Sequence, residues 1–265
     1  MDREHPIADF RIYPNYAWGF VFAWDVSGDF NDSGPWVFSV EEGPSPKGPW
    51  KCISPRIKNA VMWKEPERIG MGKANVLYFR LVLETPEGRY FSPPVQPYGT
   101  LSFREFMIAK NIMRREMIQA RQMGGVECDV WLLSTFGPIC THCLDPVTGE
   151  VRDDHCPYCL GTGRDPGYYG PFHMMFRFSP DASHDKDNSQ VGTHETKAFQ
   201  ATTTGNPALK TGDVIVDRRT DKRYHIARVA VTAEIRRVPC LQQVTFEEAP
   251  LSDVIHQLGK NKEVP

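Results

Sequence analysis

The chain has 265 residues, 40% of them hydrophobic and 24% charged, which is the make-up of a globular protein long enough for two domains. Its 31 Lys and Arg against 33 Asp and Glu give a formal charge of −2, excluding a global positive field that would draw the protein to nucleic acid or an anionic membrane. No apolar run approaches the length of a membrane span, and the start MDREHPIADF lacks a basic-then-apolar signal pattern, so a cytosolic protein is expected.

In YAWGFVFAWDV (16–26), Trp18, Phe20, Phe22, Trp24 and Val26 share one side of a period-two pattern, the mark of a strand with one heavily apolar face. Core packing is the expected role of Trp18 and Trp24. Strand-like runs follow at WVFSV (36–40) and NVLYFRLVLET (75–85), with turn clusters SGDFNDSGP, EEGPSPKGP and TPEGRY around them. A small antiparallel β-sandwich over residues 1–98 fits this spacing. It resembles, in architecture and length, an immunoglobulin or fibronectin III-like module, with VLYFRLVLETPEGRYFSPPV as its last hairpin.

The period changes in LSFREFMIAKNIMRREMIQARQM (101–123), where Phe103, Phe106, Ile112 or Met113, Met117 and Ala120 form an apolar stripe. Arg104, Lys110, Arg114, Arg115 and Arg121 fill the remaining positions and are expected on a solvated face. Ser102 as N-cap and Gly124-Gly125 as a stop predict a linking amphipathic helix within residues 99–125.

Residues 126–258 read as a second β domain. VECDVWLLSTFG (126–137) and FHMMFRFSP (172–180) are strands on either side of a cysteine segment, which is therefore an insertion at 136–170. Residues 180–193 are polar and turn-rich and are expected to form a mobile loop or arm. Strands follow in THETKAFQATT, in DVIVDRR turning at Thr220-Asp221 into RYHIARVAVTAEI, and in CLQQVTFEEAP; LSDVIHQL is a short helix or strand, and 259–265 a tail.

In CTHCLDPVTGEVRDDHCPYC, Cys140, Cys143, Cys156 and Cys159 form two CxxC pairs separated by 12 residues. Each CxxC brings two thiolates onto one ion, and two such knuckles complete a closed tetrahedral site, the usual form of structural zinc. Disulfides are rare in a reducing cytosol, and a thioredoxin-type pair lacks its βαβ context. Iron also accepts four thiolates. His142 and His155, next to the ligands, are alternatives only if a thiol is displaced. A filled coordination sphere points to structure rather than catalysis. The loop's Asp145, Glu150, Asp153, Asp154 and Asp165 against Arg152 and Arg164 disfavour phosphate contact. Walker, GxGxxG, GxSxG, HExxH and kinase signatures are missing. His173, His194, His225 and His256 are expected at surfaces or interfaces, and Cys52, Cys128 and Cys240 as buried small hydrophobes.

Two stretches carry a further resemblance. TFGPICTHCLDPVTGEVRDDHCPYCLGTGRDPGYYGPF (135–172) resembles a zinc-bearing insertion in structural proteins of tailed bacteriophages. NPALKTGDVIVDRRTDKRYHIARVAVTAEIRRVPCLQQVTFEEAPLSDVIHQL (206–258) is similar to the small β-barrel of phage head-tail connector, or head-closure, proteins; Leu209, Gly212, Asp213, Val214, Ile215, Tyr224 and Val229 fill the recurring pattern. The resemblance implies a non-enzymatic virion protein of the neck, forming a homo-oligomeric ring, most simply a hexamer, between portal or adaptor and tail proteins and assembled in the host cytoplasm. It also implies that the charged hairpin around Arg218, Arg219, Lys222 and Arg223 faces a DNA channel or another ring, with solvent as the plainer alternative. The N-terminal module departs from the minimal connector, which leaves a tail-terminator or baseplate position as a near competitor. A nucleic-acid-binding zinc-ribbon protein and an enzyme with an accessory ribbon are the rivals from other classes.

Overall fold

A computed structural model describes residues 6–14, 20–27, 36–58, 60–65, 77–97, 101–143, 145, 151, 155–179, 183–189 and 192–259. It is mainly β, with one long helix. The expected site of Trp18 and much of the acidic part of the cysteine loop lie outside these residues.

The N-terminal part holds two small sheets. Strands β1 (Ile7–Pro14), β2 (Phe20–Val26) and β6 (Met62–Lys64) form one, in the order β1-β2-β6. Strands β3 (Val37–Gly43), β4 (Lys51–Cys52), β7 (Tyr78–Thr85) and β8 (Gly88–Phe91) form the other, in the order β4-β3-β7-β8, with β5 (Ile57–Lys58) also on β3. The alternation read in 16–26 is borne out for the described part: Phe20, Phe22 and Trp24 are buried between the sheets. Phe22 meets Phe79 at 5.2 Å and Trp24 meets Phe38 at 5.1 Å, so β2 packs across onto β3 and β7. Trp24 is core, as expected, and its indole N–H donates to the Ala60 carbonyl at 2.8 Å, satisfying the one polar atom it buries.

Sequence periodicity missed β1 and the short strands β4–β6. In β1 the cause is double burial. Phe10 and Ile12 face the first core while Tyr13 faces a second, so both sides of the strand carry bulk and no clean alternation survives. Strand β2 keeps its alternation, and its Val21, on the other face, joins Tyr13 and Met62 against the C-terminal domain.

Helix α1 (Phe103–Gln122) begins in a capping box: the Ser102 hydroxyl accepts from the Glu105 amide, and the Glu105 carboxylate accepts from the Ser102 amide at 2.7 Å. Gly124, at φ +77°, lets the chain leave past the last turn. The buried face is Phe106, Ala109, Lys110, Met113, Glu116, Met117 and Ala120. Two expectations fail here. Phe103 is 53% exposed because it sits at the first helical position, before the stripe meets the body. Lys110, expected on the solvated face, is buried, and desolvation lowers its pKa. Buried Glu116 accepts from Arg177 at 2.9 Å, giving that carboxylate a cationic partner from the neighbouring barrel. The helix is also more than a link. Phe106 packs into the N-terminal core beside Phe20, and Met113 packs with Cys240 of the barrel.

Six strands close the C-terminal barrel: β9 (Val126–Leu133), β10 (Tyr168–Phe178), β12 (Gly192–Thr204), β13 (Val214–Asp217), β14 (Arg223–Ile235) and β15 (Val238–Glu248). Their order is β10-β9-β13-β14-β15-β12, and closure comes where Arg177 and Phe178 pair with Thr202 and Ala201. Every ladder is antiparallel. Inside lie Cys128, Val130, Leu132, Phe176, Ile215, Ile226, Val244 and Phe246, each the inward member of an alternating strand. The polar stretch 180–193, expected as a mobile loop or an extended arm, contains β11 (Ser183–Ser189), which pairs antiparallel with β12 from Ser183↔Ala198 to Ser189↔Gly192. Its polar, turn-rich composition carries no apolar alternation from which a strand is read. The chain beyond β15 forms a short 3-10 helix, Val254–Gln257.

Candidate metal centre

The cysteine segment is the connection between the paired strands β9 and β10, so the barrel holds both its ends. At its root Phe136 turns inward, between Trp36 (centroids 5.2 Å apart, near-parallel), Phe38 (6.0 Å) and Tyr169 (5.3 Å). The Phe136 carbonyl accepts from the Ser134 hydroxyl at 2.6 Å and from the Tyr169 hydroxyl at 2.8 Å. The chain then rises as two short antiparallel arms: Cys140 N donates to Gly163 O at 2.9 Å and Asp165 N to Pro138 O at 2.9 Å.

At the top Cys140, Cys143, Cys156 and Cys159 come together, all buried, with every sulfur within 4.8 Å of the others. Cys140 and Cys156 lie 3.9 Å apart, Cys143 and Cys159 3.2 Å. These are not disulfides, whose sulfurs bond at about 2.05 Å. Four thiolates on a tetrahedral ion with metal–sulfur bonds of about 2.3 Å sit roughly 3.8 Å apart, so the cluster fits one ion with small adjustment. The packing partner of the four sulfurs is Val151. Thiols with no ion have little reason to be collected away from a larger core.

The second knuckle is built by its glycines. Leu160, Gly161 and Gly163 all have positive φ, at 55°, 79° and 74°, and the turn closes through Leu160 N to Cys156 O (2.8 Å) and Thr162 N to Cys159 O (3.2 Å). Burial alone raises a thiol's pKa, and for Cys143 and Cys159 burial prevails. Cys156 is different: burial pushes it up, but the amides of Cys159 and Tyr158 aim at its sulfur and bring it below the usual thiol value. Oriented amides that favour the thiolate are the local electrostatics of a metal ligand. His142, in the first knuckle, stacks on Tyr158 of the second, with centroids 3.9 Å apart. It therefore bridges the knuckles as a lid and is not in the ligand set. The four cysteines read from spacing are thus brought together as expected, and they can hold a metal ion.

The remaining candidates separate. Cys128 and Cys240 are buried, as expected, but Cys52 is exposed on the short edge strand β4. His173 is exposed and meets Asp129, and His225 meets Asp253 at 2.7 Å. His256 lies on the surface near the Pro250 carbonyl, and the side chain of His194 is outside the described residues. The charged hairpin is less free than expected. Arg223 is buried and donates to the carbonyls of Ile255 and Leu258, tying the C-terminal turn to the barrel. Arg218 lies 3.6 Å from Asp129, and Lys222 meets Glu248 at 2.9 Å. Opposite charges therefore occupy much of the hairpin's basicity.

The GD pair of the barrel has a structural task. Gly212 takes φ +93°, and the Asp213 carboxylate accepts from the Leu133 amide through one oxygen and from the Lys210 amide through the other, both at 2.7 Å. One buried side chain so joins the end of β9 to the turn before β13. Burial raises the Asp213 pKa to about 6 despite the two amides and Lys210. A carboxyl whose folded pKa exceeds its unfolded value contributes stability fully below the unfolded pKa, and loses it as pH rises through the folded one. The stability of the wild type relative to Asp213→Asn should therefore fall by roughly 2 kcal/mol between about pH 4 and pH 7. Denaturant titrations of both proteins across that range check this; a pH-independent difference would show that folding does not raise the Asp213 pKa. Gln242 is a similar hidden staple, missed in the sequence: it accepts from Leu209 N and donates to the carbonyls of Thr204 and Pro207.

No family model matches the sequence, and no curated protein matches it. Among solved structures, it is similar to a chain described as titin kinase and its flanking domains, at 9% identity and a TM-score of 0.30. That similarity covers 93% of this chain and 38% of the other, so this chain spans well under half of that neighbour's length.

Proposed function

We propose that this chain is a non-enzymatic structural protein of a tailed-phage virion, a ring-forming component of the neck that joins portal or adaptor to tail. The observation that carries the reading is the pairing of a closed six-stranded barrel with a four-cysteine centre on the hairpin joining two of its strands. Four protein thiolates leave an ion no open position for substrate, which suits a structural role. The ion is taken to be zinc, held by Cys140, Cys143, Cys156 and Cys159, because tetrahedral thiolate sites favour it; iron is the alternative. When bound, it would supply folding free energy to a connection whose core, among the described residues, is these four sulfurs with Val151.

The N-terminal part is read as a fibronectin III-like sandwich. Two sheets packed face to face, β1-β2-β6 and β4-β3-β7-β8, with the first two strands together in one of them, support this. It is a surface for collar or tail proteins. The hairpin cations already paired with Asp129 and Glu248 weigh against strong binding to packaged DNA, and leave at most weak non-specific contact.

Native mass spectrometry of the purified chain reads metal and subunit number together. One zinc per chain in six-fold or twelve-fold species is the expected result. A chain that binds no metal and stays monomeric would overturn the reading.

A further inference from the structure

Two strands border one groove and, among the described residues, neither has a strand partner on the groove side. In its sheet β1 pairs, among the described residues, only with β2, and four consecutive β1 residues, Phe10 to Tyr13, line a groove of about 730 Å³. The opposite wall is the far half of β14: β13 pairs only with Arg223–His225, so beyond the Ile226 contacts β14 has β15 on one side and, among the described residues, no strand on the other. Val231, 51% exposed, and Glu234 line it from β14, and Tyr78, Val95 and Val238 add apolar lining. A groove with apolar lining beside an available backbone edge is the shape that accepts an added strand. Of the two edges, β1's is the usable one, because register shifts at Ile226/Arg228 and Val231/Ala233 interrupt the ladder of β14.

The mouth of this groove is built at a local cost. The β14–β15 hairpin turns on Arg236 and Arg237, both with positive φ, at 47° and 66°. A two-residue turn of that geometry is most easily made by Asn-Gly. Arginine at both positions spends conformational energy on putting two cations beside the groove. Arg236 is steadied by Glu105 at 2.8 Å. Arg237 is exposed.

The same chain carries a strand that fits. β11 pairs with β12 on one side and, among the described residues, has no partner on the other. β12 residues 192–197 pair only with β11, since β15 takes up β12 from Ala198 onward, so the hairpin extends beyond the barrel wall. Its sequence SHDKDNS carries Asp185 and Asp187 against Lys186, opposite in sign to the arginine turn.

The geometry points to a head-to-tail contact in which the β11 arm of one copy adds as a strand to the β1 edge in the groove of the next copy, its acidic residues against Arg236 and Arg237. This inference rests on the ring reading above and supplies its joint. The interface is heterologous, so repetition generates a ring or an open filament rather than a two-fold dimer.

Complementation between two defective proteins tests it. In the first, residues 183–197 are replaced by a short Gly-Ser loop; the second carries Val231→Glu and Arg237→Glu, both at exposed positions. Each alone should lose assembly at least tenfold in apparent association constant while keeping its thermal transition. Mixed, they should form a one-to-one pair and nothing larger, because one retains only a groove and the other only an arm. Arg237→Gly, which suits the turn, should hold or raise thermal stability while weakening assembly, an effect that a purely structural role for Arg237 does not produce. If the wild type assembles and the armless protein assembles equally well, the joint is wrong and the ring reading survives. If the wild type stays monomeric at its highest soluble concentration, both fall.

Discussion

Cys156→Ser should abolish metal binding and unravel the cysteine connection while leaving the barrel closed. Structural zinc in small finger peptides binds with apparent free energies of about 10–16 kcal/mol, so losing it removes far more than a hairpin top can hold through its own contacts. Among the described residues those contacts include the four sulfurs packed with Val151, the arm bonds at Cys140 and Asp165, the Arg164 bond to the Gly137 carbonyl, the His142–Tyr158 stack and the second-knuckle turn. Serine keeps the size of cysteine but not its soft, readily ionised sulfur, and the Tyr158 and Cys159 amides that favour the Cys156 thiolate lose their charged acceptor. The arms should fray down to Phe136, where the packed root takes over. Metal analysis together with hydrogen exchange reads both halves of this: amides of Cys140, Leu160, Thr162 and Asp165 should exchange freely, while those of β9 and β13 remain protected. Treatment of the wild type with a chelator should reproduce the pattern. Unchanged metal content in the variant would remove Cys156 from the ligand set.

Phe136→Ala acts on the other side of that root. The ring lies between Trp36 and Phe38 of the N-terminal sheets and Tyr169 of the barrel, and it is 2% exposed, so its removal leaves a cavity that backbone on three sides resists collapsing. Large-to-small changes of this kind cost about 3–5 kcal/mol. The loss should appear as a lowered denaturant midpoint with the metal still bound, since the four sulfurs and both knuckles lie beyond the altered residue. Phe136 belongs to a core that also includes Phe106 of α1 and Ile12 of β1, so the N-terminal sheets and the barrel should lose stability together. Two well-separated transitions, with only one displaced, would show instead that the two parts fold independently.

The sequence determined those features that rest on short-range chemistry. Two CxxC pairs fixed the identity of the metal-site cysteines, because a knuckle closes within a few residues and its glycines supply the positive φ it needs. Period-two patterning placed β2, strand-like runs between turn clusters placed β9, β12, β14 and β15, and the change to a three- and four-residue step, with Ser102 at its start and Gly124-Gly125 at its end, placed α1. The tertiary structure alone decided where burial is two-sided. β1 was illegible because it faces two cores at once; β11 was hidden by a polar sequence with no apolar alternation. Lys110 and Arg223 read as solvated charges, yet one lies under the helix and the other binds the last turn through Ile255 and Leu258 carbonyls. The coupling of the cysteine connection to the N-terminal sheets through Phe136 was equally hidden. Trp36 lies one hundred residues away in the chain, and no local pattern records which ring will meet another when separate elements pack.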